Sequence, residues 1–79
     1  MLHDLINERI SSDPRICAGK PCVKGTRVPV HIILEALATG MSFDEVKKEF
    51  APLSLQDIQA CIYFAAVLSD EQELTSQVA

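Results

Sequence analysis

The stretch from Ala60 to Leu68, Ala-Cys-Ile-Tyr-Phe-Ala-Ala-Val-Leu, is apolar on every side of a helix apart from the Tyr63 hydroxyl. A helix on the surface of a lone small domain carries one apolar stripe and one polar face. This segment has no polar face, so the sequence predicts cover on more than one side, by other helices of the chain and by a second subunit. It falls far short of the roughly 20 residues a membrane span needs, so no membrane partner is expected.

Two further helices are predicted upstream. Ile32, Ile33, Leu34, Leu37 and Ala38 recur at helical spacing up to Gly40, a natural residue for a helix end. Ser42-Phe43-Asp44-Glu45 has the form of a capping box and opens a second helix through about Phe50, stopped by Pro52. Ser54-Leu55-Gln56-Asp57 repeats the signature with a shorter acid, so the third helix starts near Leu55. Three short helices with tight connections form the pattern of a helix-turn-helix or homeodomain-like unit.

The chain before these helices reads differently. Ser12-Asp13-Pro14, Gly19-Lys20-Pro21 and Gly25-Thr26 crowd turn formers between short apolar pieces, which predicts a small β-hairpin or extended arm. Pro21 and Pro29 have no N–H to donate and confine these pieces to sheet edges. Residues 1–9 fit either a short helix, with Leu2, Leu5 and Ile6 on one side, or a lead-in to a strand. The expected organisation is one mainly α domain: a β arm over 1–30, a trihelical unit over 31–68 and an acidic tail over 69–79.

Charge divides along the same line. Residues 1–27 carry five basic side chains against three acids, whereas 28–79 carry eight acids against Lys47 and Lys48 alone, for −4 overall. That balance excludes a protein that coats nucleic acid generally, and the asymmetry points to two faces with different partners. Arg15, Lys20, Lys24 and Arg27 follow one another with no acid between them, and a short arm of this kind can track a phosphate backbone. With Thr26 they are the candidate nucleic-acid contacts. The third helix offers Gln56, Asp57 and Gln59 near its start but no Lys or Arg from Leu55 onward, so it reads as a packing helix rather than a recognition helix. Its candidate partner or dimer contacts are Ile62, Tyr63, Phe64, Val67, Asp70, Glu71 and Glu73. A hydrophobic content of 48% in 79 residues is high for a domain that buries little more than about 60% of its unfolded surface, which favours a homodimer.

Three cysteines and an N-terminus without a basic, apolar leader place the chain in a reducing, cytoplasmic setting. Cys17 and Cys22 in C-x4-C spacing, with His31 nearby, make one ligand pair where a structural zinc site needs two, and Cys61 reads as core. No metal or cofactor is expected. Phosphate-cradling and nucleophile motifs are absent, paired carboxylates fall at helix starts or in the tail, and no enzymatic activity is expected.

The segment Ile16–Val30, ICAGKPCVKGTRVPV, followed by Ala38-Thr39-Gly40-Met41-Ser42 and DEVKKEFAPLSLQDIQACIYFAA, resembles the domain-of-unknown-function 433 family over about Ile10–Ala66. The resemblance implies a homeodomain-like trihelical fold after a short β arm. It also implies an antitoxin of a type II toxin–antitoxin pair, which would block a PIN-like nuclease and repress its own operator DNA as a dimer.

Overall fold

The computed structural model describes residues 2–50 and 52–71, with side chains from Asp4 onward. Its elements are α1 (Leu2–Arg9), β1 (Ile10–Ser11), a single 3-10 turn (Cys17–Gly19), β2 (Cys22–Val23), α2 (Val30–Ala38), α3 (Phe43–Glu49) and α4 (Leu55–Glu71). The fold is mainly helical with a short antiparallel hairpin near its N-terminus. The opening residues of the expected β arm take the helical alternative, and α4 continues three residues into the expected acidic tail.

The hairpin is as short as its prolines require. Ile10 pairs with Val23 and Ser11 with Cys22. Beyond them, the Val23 N–H donates to the Val28 carbonyl at 3.0 Å and the Val30 N–H to Pro21 at 2.9 Å. Between these rungs the chain turns through Gly25, whose φ of +83° would strain a side-chain-bearing residue. Lys24 fastens this turn to α1. Its N–H donates to the Arg9 carbonyl at 2.7 Å and its ammonium to the Asn7 carbonyl at 2.6 Å, so two acceptors left over at the C-terminus of α1 are satisfied by one residue.

Helix ends follow local chemistry. α2 closes in a Schellman motif: Gly40 at φ +102° donates to Leu37, and the Met41 N–H reaches back to Ala36. α3 opens with the predicted capping box, Glu45 N–H to Ser42 Oγ at 3.1 Å and Ser42 N–H to Glu45 Oε1 at 2.8 Å. At α4 the shorter Asp57 makes the same reciprocal pair with Ser54, at 3.1 and 2.9 Å. There a third partner joins. Arg9, the last residue of α1, places Nη1 3.1 Å from Asp57 Oδ1 and 3.3 Å from Ser54 Oγ.

The core gathers Ile10 and Val23 from the hairpin, Val30 and Ile33 from α2, Val46 from α3, and Ile58, Ala60 and Cys61 from α4. Ile33, Val46 and Ile58 are fully buried, each worth about 1.5–3 kcal/mol of hydrophobic stabilisation. α1 covers the first half of α4, with Leu5 and Ile6 turned to the core. The second half has less cover than its all-round apolar sequence predicts: Ile62 and Leu68 are 38% and 42% exposed. Within one chain, burial reaches only one side.

Asp57→Ala removes the cap acceptor and the partner of Arg9 together, and is expected to cost about 2 kcal/mol of unfolding free energy. Asp57→Asn keeps an acceptor for the cap and loses only the ion pair, about 1 kcal/mol. Urea unfolding of the two variants beside the wild type checks both the size and the order.

Candidate functional site

The structure separates the candidate nucleic-acid contacts instead of massing them on one patch. Arg15 is 88% exposed, but its guanidinium forks onto Asp13, Nε to Oδ1 at 3.1 Å and Nη2 to Oδ2 at 3.0 Å. These bonds, with the Arg15 backbone N–H, hold the Asp13 carboxyl below its usual range. A phosphate would have to displace that carboxylate. The Thr26 hydroxyl donates to the Val23 carbonyl at 2.7 Å and accepts from the Val28 N–H at 3.0 Å, so it builds the turn. Lys24 is exposed yet tethered to Asn7. Arg27 shares the turn with Lys24 and edges a shallow cleft of about 510 Å³ with Ser11, Ile16 and Pro52. Lys20 lies elsewhere, beside α2 and α4. Among the described residues, no hydrogen bond or ion pair holds the side chains of Arg27 and Lys20.

The backbone behind Arg27 is unusual. Cys17, Ala18 and Gly19 run consecutively at φ +52°, +55° and +83°, a left-handed path that side-chain-bearing residues adopt at a cost of about 1–3 kcal/mol each. The Cys17 thiol donates to the Arg27 carbonyl at 3.2 Å, and the Ser12 hydroxyl to Gly19 at 2.9 Å, bonds that offset part of that cost.

On the other side of the molecule, α2 and α4 diverge and leave a mostly apolar groove of about 790 Å³. Phe64, Ala65 and Leu68 form the α4 wall, Val30 and Leu34 the α2 wall, and Lys20 and His31 lie at its edges. Of the candidate contacts on α4, only Phe64 lines this groove. At 100° per residue Ile62 points nearly opposite to Phe64, while Tyr63 and Val67 fall between them. Asp70 and Glu71 are exposed beyond the groove, and Glu73 lies outside the described residues. The walls from α2 were not among the sequence candidates, although Val30 and Leu34 stand at i, i+4 spacing.

Cys17, Cys22 and His31 do not assemble into a metal site; among the described residues no three His, Cys, Asp or Glu side chains converge. His31 Nδ1 instead lies 2.8 Å from Glu35 Oε2, one turn along α2. All three thiols are free. Burial pushes the Cys22 thiol up to about 11, helped by a hydrogen bond with the Cys17 thiol. Burial, then the nearby Asp57 carboxylate, pushes Cys61 up to about 12. Iodoacetamide is therefore expected to leave Cys22 and Cys61 unmodified in the folded protein and to label both after unfolding, as peptide mass mapping would read. Because their folded values exceed the ordinary 9.0, the stability tied to these thiols is complete below pH 9 and is lost as pH rises toward 11 and 12.

Residues 10–65 match the model of the family described as protein of unknown function, DUF433. Over 58 residues the chain is 33% identical to the uncharacterized protein y4eO of Sinorhizobium fredii (strain NBRC 101917 / NGR234), an overlap of 73% of this chain. It spans only 26% of that relative's length. The fold is similar to the crystal structure of a DUF433 member protein from Anabaena variabilis ATCC 29413, with a TM-score of 0.74 at 19% identity over 87% of this chain and 68% of that one. With most of its length inside the family match, the chain belongs to the DUF433 family.

Proposed function

We propose that this chain is an antitoxin-like binding protein of a type II toxin–antitoxin pair, acting in the cytoplasm as a dimer. In this reading the arm contacts operator DNA through Arg27 and Lys24, and the α4 side contacts a PIN-like nuclease. The observation that carries it is the separation of charge. Arg27 is an uncommitted cation on the arm, whereas α4 ends in exposed Asp70 and Glu71 with no basic residue along its length. A ribonuclease site must attract phosphate, so an acidic helix end competes for it, while DNA takes the opposite surface. The reading gives no residue a catalytic role.

α4 is not the DNA-reading element in this proposal. Gln56 and Gln59 are exposed at its start, but Asp57 is committed to Ser54 and Arg9, and no cation on the helix can hold a phosphate. A second reading, a protein-interaction module without DNA binding, is favoured by the engagement of Arg15, Lys24 and Thr26 with their own chain.

DNA titration at several salt concentrations separates the two. Arg27→Glu is the clean variant, because Lys24 also anchors α1. The first reading expects Arg27→Glu to weaken binding at every sequence and to lower the slope of log affinity against log salt by about 1. Affinity unchanged by Arg27→Glu favours the interaction module. Co-purification with a PIN-like nuclease tests the other partner. The full chain should form a complex that suppresses RNA cleavage, and truncation after Leu68, which removes Asp70 and Glu71, should lose it.

A further inference from the structure

α4 outruns the elements that cover it. Its first half is sealed by α1 and the core at Ile58, Ala60 and Cys61. Its second half stands away from α2 and leaves Phe64 and Leu68 facing Val30 and Leu34 across open space. An apolar floor of this size on so small a domain is the kind of surface that marks a partner.

The charges beside it narrow the choice of partner. Lys20, on the arm side, has no side-chain partner among the described residues, and neither do Asp70 and Glu71, which directly follow the groove-lining Ser69. The same apolar surface therefore carries an unpaired cation and two unpaired acids. A basic partner would be repelled by Lys20 and an acidic one by Asp70 and Glu71. A second copy turned by a twofold axis meets each sign with its opposite, which is the self-complementarity an isologous interface requires.

We propose that the α2–α4 groove is a homodimer interface, with the second half of α4 from each copy laid across the groove of the other. Asp70 and Glu71 of one copy then face Lys20 of its partner. Leu68 enters the apolar floor and loses the 42% exposure it has in one chain. The inference rests on the reading above only in taking α4 as the protein-contact side, and it assigns the groove to this chain's own copy instead of the nuclease.

Light scattering on the purified full chain tests it. The expected mass is twice 8.7 kDa, falling to 8.7 kDa in Leu68→Glu with the helical circular dichroism unchanged. Lys20→Glu is expected to weaken the dimer about tenfold, and adding Asp70→Lys with Glu71→Lys to restore it. These three positions lie at the exposed edge, so the charge swap stays decisive even if Leu68→Glu fails to fold. A wild-type mass of 8.7 kDa at every concentration overturns the proposal, as does a folded Leu68→Glu that remains dimeric. Loss of the dimer in Ile62→Glu but not in Leu68→Glu overturns it as well, because it moves the interface to the opposite side of α4. Failure of the charge swap to restore dimerisation overturns the pairing across the groove. A monomer that still binds the nuclease sinks this inference and leaves the antitoxin reading standing; a dimer that binds no nuclease does the reverse.

Discussion

The contact of Arg9 with Asp57 and Ser54 ties together parts that have little stability of their own. α1 has eight residues, and a helix of that length does not persist alone in water. It is held because Leu5 and Ile6 lie on the core and because its last side chain enters the cap of α4. The exchange is mutual: Asp57 satisfies the first turn of α4 with one oxygen and Arg9 with the other. Lys24 closes the carbonyl end of α1 at the neighbouring turn, so three segments far apart in sequence meet around one residue. The hairpin begins at the next position, where Ile10 enters the core against Val23.

Concentrating the polar fastening at that end has a consequence at the other. α1 is placed over the first half of α4, and α2, with nine residues, supplies only one flank beyond it. The remaining turns of α4 carry the same apolar side chains without matching cover. A chain of 79 residues has no further described element to spend there. The groove is thus the direct result of a long apolar helix packed at one end by a short one. Its floor has the composition of a core and lacks the second layer.

How much of this was legible in the sequence depends on whether the signal was local. The capping box at Ser42, the stop at Gly40 and the start of α4 at Ser54 are written within four or five residues, and each appears where expected. The hairpin was legible as turns and prolines, though its register was not. The Arg9–Asp57 contact joins positions 48 residues apart, and nothing in the neighbourhood of Arg9 distinguishes it from a solvated charge. Cys17 and Ala18 were equally opaque, because their left-handed backbone is imposed by bonds to Arg27 and Ser12 instead of by glycine. Among candidate site residues, sequence proximity grouped Lys20 with Arg27, whereas the fold sends them to different cavities. The apolar run at Ala60–Leu68 correctly signalled missing cover, but only the structure shows which side of the helix lacks it.

That division of the cations bears on how the arm could hold DNA at all. With Lys20 at the groove and Arg15 bound to Asp13, each copy retains Arg27, and Lys24 at the expense of its tie to α1. Two phosphate contacts give a weak complex at physiological salt, since sites that bind well neutralise several more. A chain of net charge −4 receives no help from its overall field. Pairing two arms in one particle makes the second contact intramolecular and multiplies a weak affinity without adding a side chain. Dimerisation through the groove would use the apolar surface that one chain leaves bare and bring the arms into one particle. If the arm binds DNA, the same helix whose missing polar face constrains the fold therefore also sets the condition under which so few cations could suffice.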